Sequence, residues 1–356
     1  MTEPNPTRIL LLGATGYIGG SILTHLINHP IADTLSITAL VRKPYQASIL
    51  KDAGVIPLLF KDLDDYETIY DAAREADVVI AAASARHEGS AKACLEGLSE
   101  RSKTTGQPAH YVHTSGASII GDWPVTGTRV DEKTYSDVSD DVFELEKMFE
   151  REEAGWSPVR SVNQLVVESG ERLGVKTYIV VPPLIFGPGT GSFTLGFGQV
   201  HMMVQAALKR KQAVMVGAGS GVWSRIHILD LTSLYFLLTQ AILDKKPDLR
   251  SGKKGFYFVE NGTSSWKGIA ERISVVGKKI GAFESEEVGK MSLGEAKEEF
   301  GYGSERDAEG VVGSSARIKA DKARQLLGWS PTRGEGEFLE EIEDVVTAMF
   351  QQGEAE

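Results

Sequence analysis

Residues 9–20 read ILLLGATGYIGG. The four aliphatic residues make a short buried strand, a glycine-rich turn follows at once, and SILTHLINH continues from Ser21 as a helix. Glycines at 13, 16 and 19 allow a tight turn, let the backbone approach an anion, and let the helix pack close to the strand. The helix N-terminus then aims its free N–H groups and its dipole at that anion. This spacing, between a strand and a helix, predicts a dinucleotide-binding turn, with Gly13, Thr15, Gly16, Tyr17, Ile18 and Gly19 around the cofactor.

The same alternation runs on. Strands are expected at 36–42, 55–60, 77–84 and 110–116, separated by helices at 44–54, 64–75 and 91–103. A further helix at 159–174 and a strand at 176–183 extend the series. Continuous apolar strands alternating with amphipathic helices predict an α/β fold, a Rossmann-type doubly wound parallel sheet covered on both faces. After residue 186 the pattern is less regular: a glycine-rich loop at 187–198, a helix at 200–211, a strand and helix at 225–243, and a strand at 255–262. Near the C-terminus Phe338, Ile342, Val345 and Met349 fall on one helical face. We expect residues 1–186 with a returning segment 225–262 to form the dinucleotide domain. Residues 187–224 and 263–356 then form a smaller, discontinuous C-terminal substrate domain, with the cleft between the two. The acidic stretch 137–153, DVSDDVFELEKMFEREE, is read as a solvated helical insertion.

The 356 residues carry a formal charge of −11, which argues against nucleic acid or an anionic membrane as the main partner. The single cysteine, Cys94, excludes an internal disulfide and fits a reducing compartment. The N-terminal MTEPNPTR lacks a signal-type apolar region, and YIVVPPLIF is too short and too proline-rich to span a bilayer. These features predict a soluble cytoplasmic protein with a small-molecule substrate. None of the seven histidines pairs in a metal-binding pattern, and Asp230 reads as a helix cap.

Folds of this kind that prefer NAD place an acid at the end of the second strand, on the ribose 2′-hydroxyl. Here that strand ends LVRKP, with Arg42 and Lys43. A guanidinium pairs with a 2′-phosphate that a carboxylate would repel, so NADP(H) is the expected cofactor. Asp62, in FKDLDD, is placed either to meet the adenine or to cap the next helix.

These motifs, taken in order, resemble the extended short-chain dehydrogenase/reductase family. GATGYIGG is similar to its TGxxGxxG opening and KDLDD, with Asp62 and Leu63, to its acidic turn after strand three. AAAS, with Ala82 and Ala83, stands where small residues flank the cofactor. VHTSGASIIG resembles the serine motif of strand five, and PPLIFGPG, with Pro183, resembles RPxxVYGPG. RIHILDL and LLGWSP resemble two later motifs. The resemblance implies hydride chemistry on a nicotinamide cofactor and, often, a homodimer through the helices before strands five and six, here about 92–103 and 159–173.

The family's tyrosine and lysine, four residues apart, are missing. Setting Glu168 on the family's KxxxE spacing places Gln164 at the lysine position and Arg160 at the tyrosine position; no YxxxK occurs in the chain. The serine motif carries Gly116 at one usual serine position, and Val181 replaces the arginine of RPxxVYG. Candidates for the vacated chemistry are Ser115 at the end of strand five, Arg160 as an oxyanion stabiliser, and Tyr135 as a displaced acid. Gln164 is a candidate partner for the ribose. Trp123, Phe186, Phe193, Met202, Met203 and Trp223 lie in segments able to line the cleft. The expected function is an NADP(H)-dependent oxidoreductase, a reductase of a carbonyl or imine substrate. The alternatives are a sugar-nucleotide epimerase or dehydratase, and a non-catalytic NADP-binding regulator.

Overall fold

The computed structural model of the chain describes residues 6–153, 157–194, 196 and 198–355. Strand β1 (Thr7–Leu12) and helix α1 (Tyr17–Ile27) enclose the glycine-rich turn. The order continues through β2 (Leu35–Val41), α2 (Pro44–Asp52), β3 (Ile56–Leu59), α3 (Tyr66–Arg74), β4 (Val78–Ala81), α4 (Glu88–Thr105) and β5 (His110–Thr114). A two-residue strand β6 (Tyr135–Ser136) and helix α5 (Val142–Glu152) precede α6 (Pro158–Leu173) and β7 (Lys176–Val181). Then follow β8 (Leu184–Phe186), α7 (Gln199–Arg210), β9 (Val214–Val216), β10 (Val222–His227), α8 (Ile228–Leu243) and β11 (Phe256–Phe258). The C-terminal part adds β12 (Thr263–Ser265), α9 (Trp266–Lys279), β13 (Gly289–Met291), α10 (Leu293–Phe300), α11 (Glu305–Val312), β14 (Ile318–Lys319), α12 (Asp321–Leu327) and α13 (Glu335–Ala355).

Seven strands form one parallel sheet in the order β11-β7-β5-β4-β1-β2-β3. Its inner strands read as unbroken apolar runs because helices cover both faces, and Leu10, Leu11, Ile80 and Val180 are fully buried. The order reverses between β1 and β4, so the crevice at their carboxyl ends is the switch point where such sheets take ligands. β3 is one of the two edge strands, with Pro57 in it and Ile56 and Leu59 exposed.

The returning segment divides between two sheets. α8 and β11 join the large layer, whereas β10 pairs with β8 and β12 in a three-stranded sheet. His227 caps α8 itself, its ring accepting from the Leu229 N–H at 3.1 Å. Asp230 is therefore not the cap. It receives the backbone N–H groups of Thr332 and Arg333 and the Arg333 guanidinium, and so ties the C-terminal segment to α8. Phe338, Ile342 and Val345 of α13 are buried, with Met349 packed against the same core.

The acidic insertion departs from the expectation of a solvated helix. α5 is amphipathic: Val142, Phe143, Glu146 and Phe149 are buried against α6, while Glu144 and Arg151 face outward. Cys94 lies fully buried in α4. Among the described residues no helix is long and apolar enough to cross a membrane, and no group of side chains is arranged to hold a metal ion.

Candidate active site

The turn after β1 is shaped by contacts that leave no room for side chains. Gly13 has φ +90°, and a Cβ there would lie 2.6 Å from the Ala82 carbonyl carbon at the end of β4. A Cβ at Gly19 would overlap the Gly13 carbonyl. Gly16 stands at the N-cap of α1 and supplies no side-chain cap, so the first N–H groups of that helix are left for a ligand. The Ala82 N–H donates to the Leu12 carbonyl at 2.9 Å, holding the Ala82–Ala83 segment beside the turn. Ile18 packs against the core, and Pro183 is buried between β7 and β8. These features fit a dinucleotide pyrophosphate.

The loop after β8 clasps this turn. The Tyr17 hydroxyl donates to the Gly187 carbonyl at 2.5 Å, and the Thr194 hydroxyl donates to the Thr15 carbonyl at 3.0 Å. Thr24 and Ser21 bond the backbone of Thr190. Gly20 and Gly191 meet backbone to backbone, a Cβ at Gly20 falling 3.1 Å from the Gly191 Cα. The loop ends with Phe193 edge-on to Tyr45 at 6.3 Å, next to the exposed Arg42 and Lys43 at the end of β2. Asp62 is exposed, accepts from the Asp64 N–H at 2.9 Å and does not cap α3; Asp65 holds that position. Leu63 is half-buried beside it.

At the end of β5 the sequence register shifts. Asn163, not Gln164, reaches the strand: its Nδ2 donates to Ser115 Oγ at 2.8 Å and to Glu146 Oε1 at 2.6 Å. One turn earlier, Val159 borders a small cleft of about 110 Å³ with Ser118, Arg86, Gln199, Trp223 and Asp307. Asn163, one residue before Gln164, is therefore the α6 side chain that meets the end of β5, and the residue four before it is Val159. Gln164 lies on the stripe of Arg160 and Glu168, which pair with α5 and the residue that follows it, and its Nε2 is buried with no partner. Gly116 has open space where a side chain would stand, with nothing nearer than 3.9 Å.

Arg160 is fully buried and already engaged. Its Nε donates to the Ile119 carbonyl at 2.7 Å and its guanidinium to Glu153 at 2.8 Å. Glu153 also receives Arg129, Arg306 and the Trp123 indole. Burial raises that carboxyl, but the bonds from Arg160, Trp123 and the charge of Arg129 outweigh it and hold Glu153 below the usual carboxylate range. Arg160 is thus a structural ion-pair member and not an oxyanion stabiliser. Tyr135 is likewise removed from the cleft. It pairs through β6 with β14, stacks edge-on against Phe149, and donates its hydroxyl to Asp131; burial and that bond push its pKa up. Of the expected cleft-lining residues, Trp223 lines the cleft. Trp123, Phe186 and Met203 are core, Met202 meets the Tyr302 hydroxyl, and Phe193 lies at the clasp.

The NAD(P)H-binding family model matches residues 13–181. Over 91% of this chain and 92% of its own length, the oxidase ucsJ of an Acremonium species is 28% identical, and an uncharacterised Saccharomyces cerevisiae protein is 23% identical over 91% and 94%. The dTDP-glucose 4,6-dehydratase DesIV of Streptomyces venezuelae, with NAD and TYD bound, superposes with a TM-score of 0.65 at 13% identity over 94% of this chain and 96% of that one. A Bacillus cereus UDP-glucuronic acid 4-epimerase, in complex with UDP-glucuronic acid and NAD, gives 0.60 at 15% over 96% and 100%. The chain shares the fold of these two enzymes. Within this fold, residues 13–181 form an NAD(P)-binding domain.

Proposed function

We propose that this chain is an NADP(H)-dependent oxidoreductase, a reductase of a small to medium carbonyl or imine substrate. The observation that carries the reading is an asymmetry. The glycine turn leaves the first N–H groups of α1 uncapped for a pyrophosphate, whereas Asn163 and, four residues before it, Val159 offer no base that can take the proton of a sugar hydroxyl. That asymmetry disfavours the epimerase or dehydratase alternative. A bound nicotinamide supplies the hydride. The chain's part is then to orient the acceptor and to stabilise its oxygen by hydrogen bonds, for which Ser115, at the end of β5, and Ser118, which lines the small cleft, are the candidate hydroxyls. Ser115→Ala should lower kcat on the order of 10- to 1,000-fold with KM for NADPH unchanged, as loss of one oriented donor does. Tyr135→Phe serves as the unaffected control. NADPH oxidation with benzaldehyde, a small aliphatic aldehyde and a cyclic ketone tests the reading. No turnover with a protein that binds NADPH would favour the regulator.

Cofactor choice rests on Arg42, for which the described residues offer no acidic partner. NADPH should bind at least about tenfold more tightly than NADH, from one charge-assisted contact of about 1.5–3 kcal/mol. Arg42→Asp should reverse or abolish the preference in a fluorescence titration. Equal affinities in the wild type would exclude the assignment. The reading also keeps a homodimer through α4 and α6 and a cytoplasmic setting as proposals.

A further inference from the structure

α5 contributes one polar side chain to the interior, and it is placed beside the strand end. Glu146 and Asn163 are both completely buried, and Ser115 nearly so. Asn163 spends both hydrogens of Nδ2, one on Ser115 Oγ and one on Glu146 Oε1. Ser115 is thereby an acceptor towards α6, and among the described residues no acceptor takes its own hydroxyl hydrogen. Glu146 Oε2 and Asn163 Oδ1 are buried without partners.

The polarity of this chain depends on which end of the Asn163 amide faces the serine. With Oδ1 turned to Ser115, the hydroxyl would donate inward and leave nothing to offer a ligand. An acceptor at Glu146 Oε1 selects the other orientation, because Nδ2 alone can satisfy it. We propose that Glu146 and Asn163 are positioning residues that hold Ser115 with its hydroxyl hydrogen turned outward, as a donor to the substrate oxygen. The proposal rests on the reductase reading above.

The charge state of Glu146 agrees with the geometry. Burial pushes its carboxyl far above the ordinary range, against the bond from Asn163 and the charge of Arg160, with Glu150 adding to the rise. Lys253 over the Phe143 ring, Lys254 beside Val142, and Arg129 over the Phe149 ring are cations that face α5 from other elements. In the neutral form Oε1 stays an acceptor for the Asn163 amide when the proton sits on the unpartnered Oε2. Because the folded state favours the neutral form, this stability is full at acid pH and is lost as pH rises towards the raised value.

The test compares Glu146→Gln, Glu146→Leu and Asn163→Asp with wild type in NADPH-dependent reduction of the best aldehyde or ketone probe. Glu146→Gln retains an acceptor and should stay within about twofold of wild-type kcat, while its unfolding temperature loses the decline that wild type shows as pH rises above the ordinary carboxylate range. Glu146→Leu, which frees the amide to turn, should lower kcat on the order of 10- to 100-fold with KM for NADPH unchanged. Asn163→Asp draws the serine hydrogen inward and should fall as far as Ser115→Ala. Undiminished kcat in folded Glu146→Leu, or an equal fall in Glu146→Gln, would overturn the proposal. If wild type reduces none of the probes, the reductase reading fails separately, and NMR exchange of the Asn163 side-chain amide decides this one. Protection in wild type and Glu146→Gln but not in Glu146→Leu supports it; equal exchange in all three overturns it.

Discussion

Replacing Gly16 with valine is expected to raise the dissociation constant for NADPH at least about a hundredfold, about 2.8 kcal/mol, while the chain stays folded. The two halves of this result come from different geometry. Gly16 has φ −91°, which any residue adopts, and an added Cβ would meet only the Gly13 carbonyl at 3.3 Å. The fold can take that contact with a shift of a few tenths of an ångström. The branched methyl groups, however, project over the uncapped first turn of α1, where the phosphate oxygens must come close to the backbone. Gly13→Ala makes the contrast. Its left-handed φ and its 2.6 Å approach to Ala82 predict lost stability before any question of binding arises. Fluorescence titration with NADPH and thermal unfolding of each variant separate the two effects. A folded Gly16→Val protein that binds normally would show that the pyrophosphate lies elsewhere.

The parts of the fold that follow from local rules were legible in the chain. Parallel strands buried on both faces are continuous apolar runs, so β1, β2, β4, β5 and β7 were readable, as were the glycines that bend the first turn. What could not be read was where a polar side chain on a helix ends up. The register of α6 was set by Glu168, whereas the better local signal was Ser157–Pro158. Ser157 caps the helix and Pro158 starts it, and six residues into the helix Asn163 meets Ser115 after β5. The acidic insertion was read as solvated because seven of its residues are aspartate or glutamate beyond those on its apolar stripe. Its helical period already carried Val142, Phe143, Glu146 and Phe149 on one side. No local rule shows that the glutamate in that stripe is met by an asparagine from α6. That contact is set by tertiary packing, as is the cluster of arginines on Glu153.

The last expectation concerns that cluster. Arg160→Met should destabilise the chain by about 3 kcal/mol and leave NADPH affinity unchanged. Arg160 is entirely buried, bonded to the Ile119 carbonyl and to Glu153, with its guanidinium 5.4 Å from the Phe149 ring centre. Removing one member of a buried ion pair costs about 3–5 kcal/mol when the other charge is left alone. Here Arg129 and Arg306 remain on Glu153, which places the loss at the low end. For a chain of this length, about 3 kcal/mol lowers the unfolding temperature by roughly 4 °C. Methionine keeps the volume of the aliphatic stem, so the loss reports the guanidinium rather than a cavity. A residue that stabilised an oxyanion would give the opposite pattern, with an unfolding temperature near wild type and a large fall in turnover. Thermal unfolding and NADPH titration, read with aldehyde reduction at a temperature where both proteins are folded, distinguish the two. The same measurement explains why Arg160→Tyr with Gln164→Lys should restore nothing. Those substitutions would take from Glu153 one of its three guanidinium partners among the described residues and set a tyrosine and a lysine on a helix stripe that faces α5.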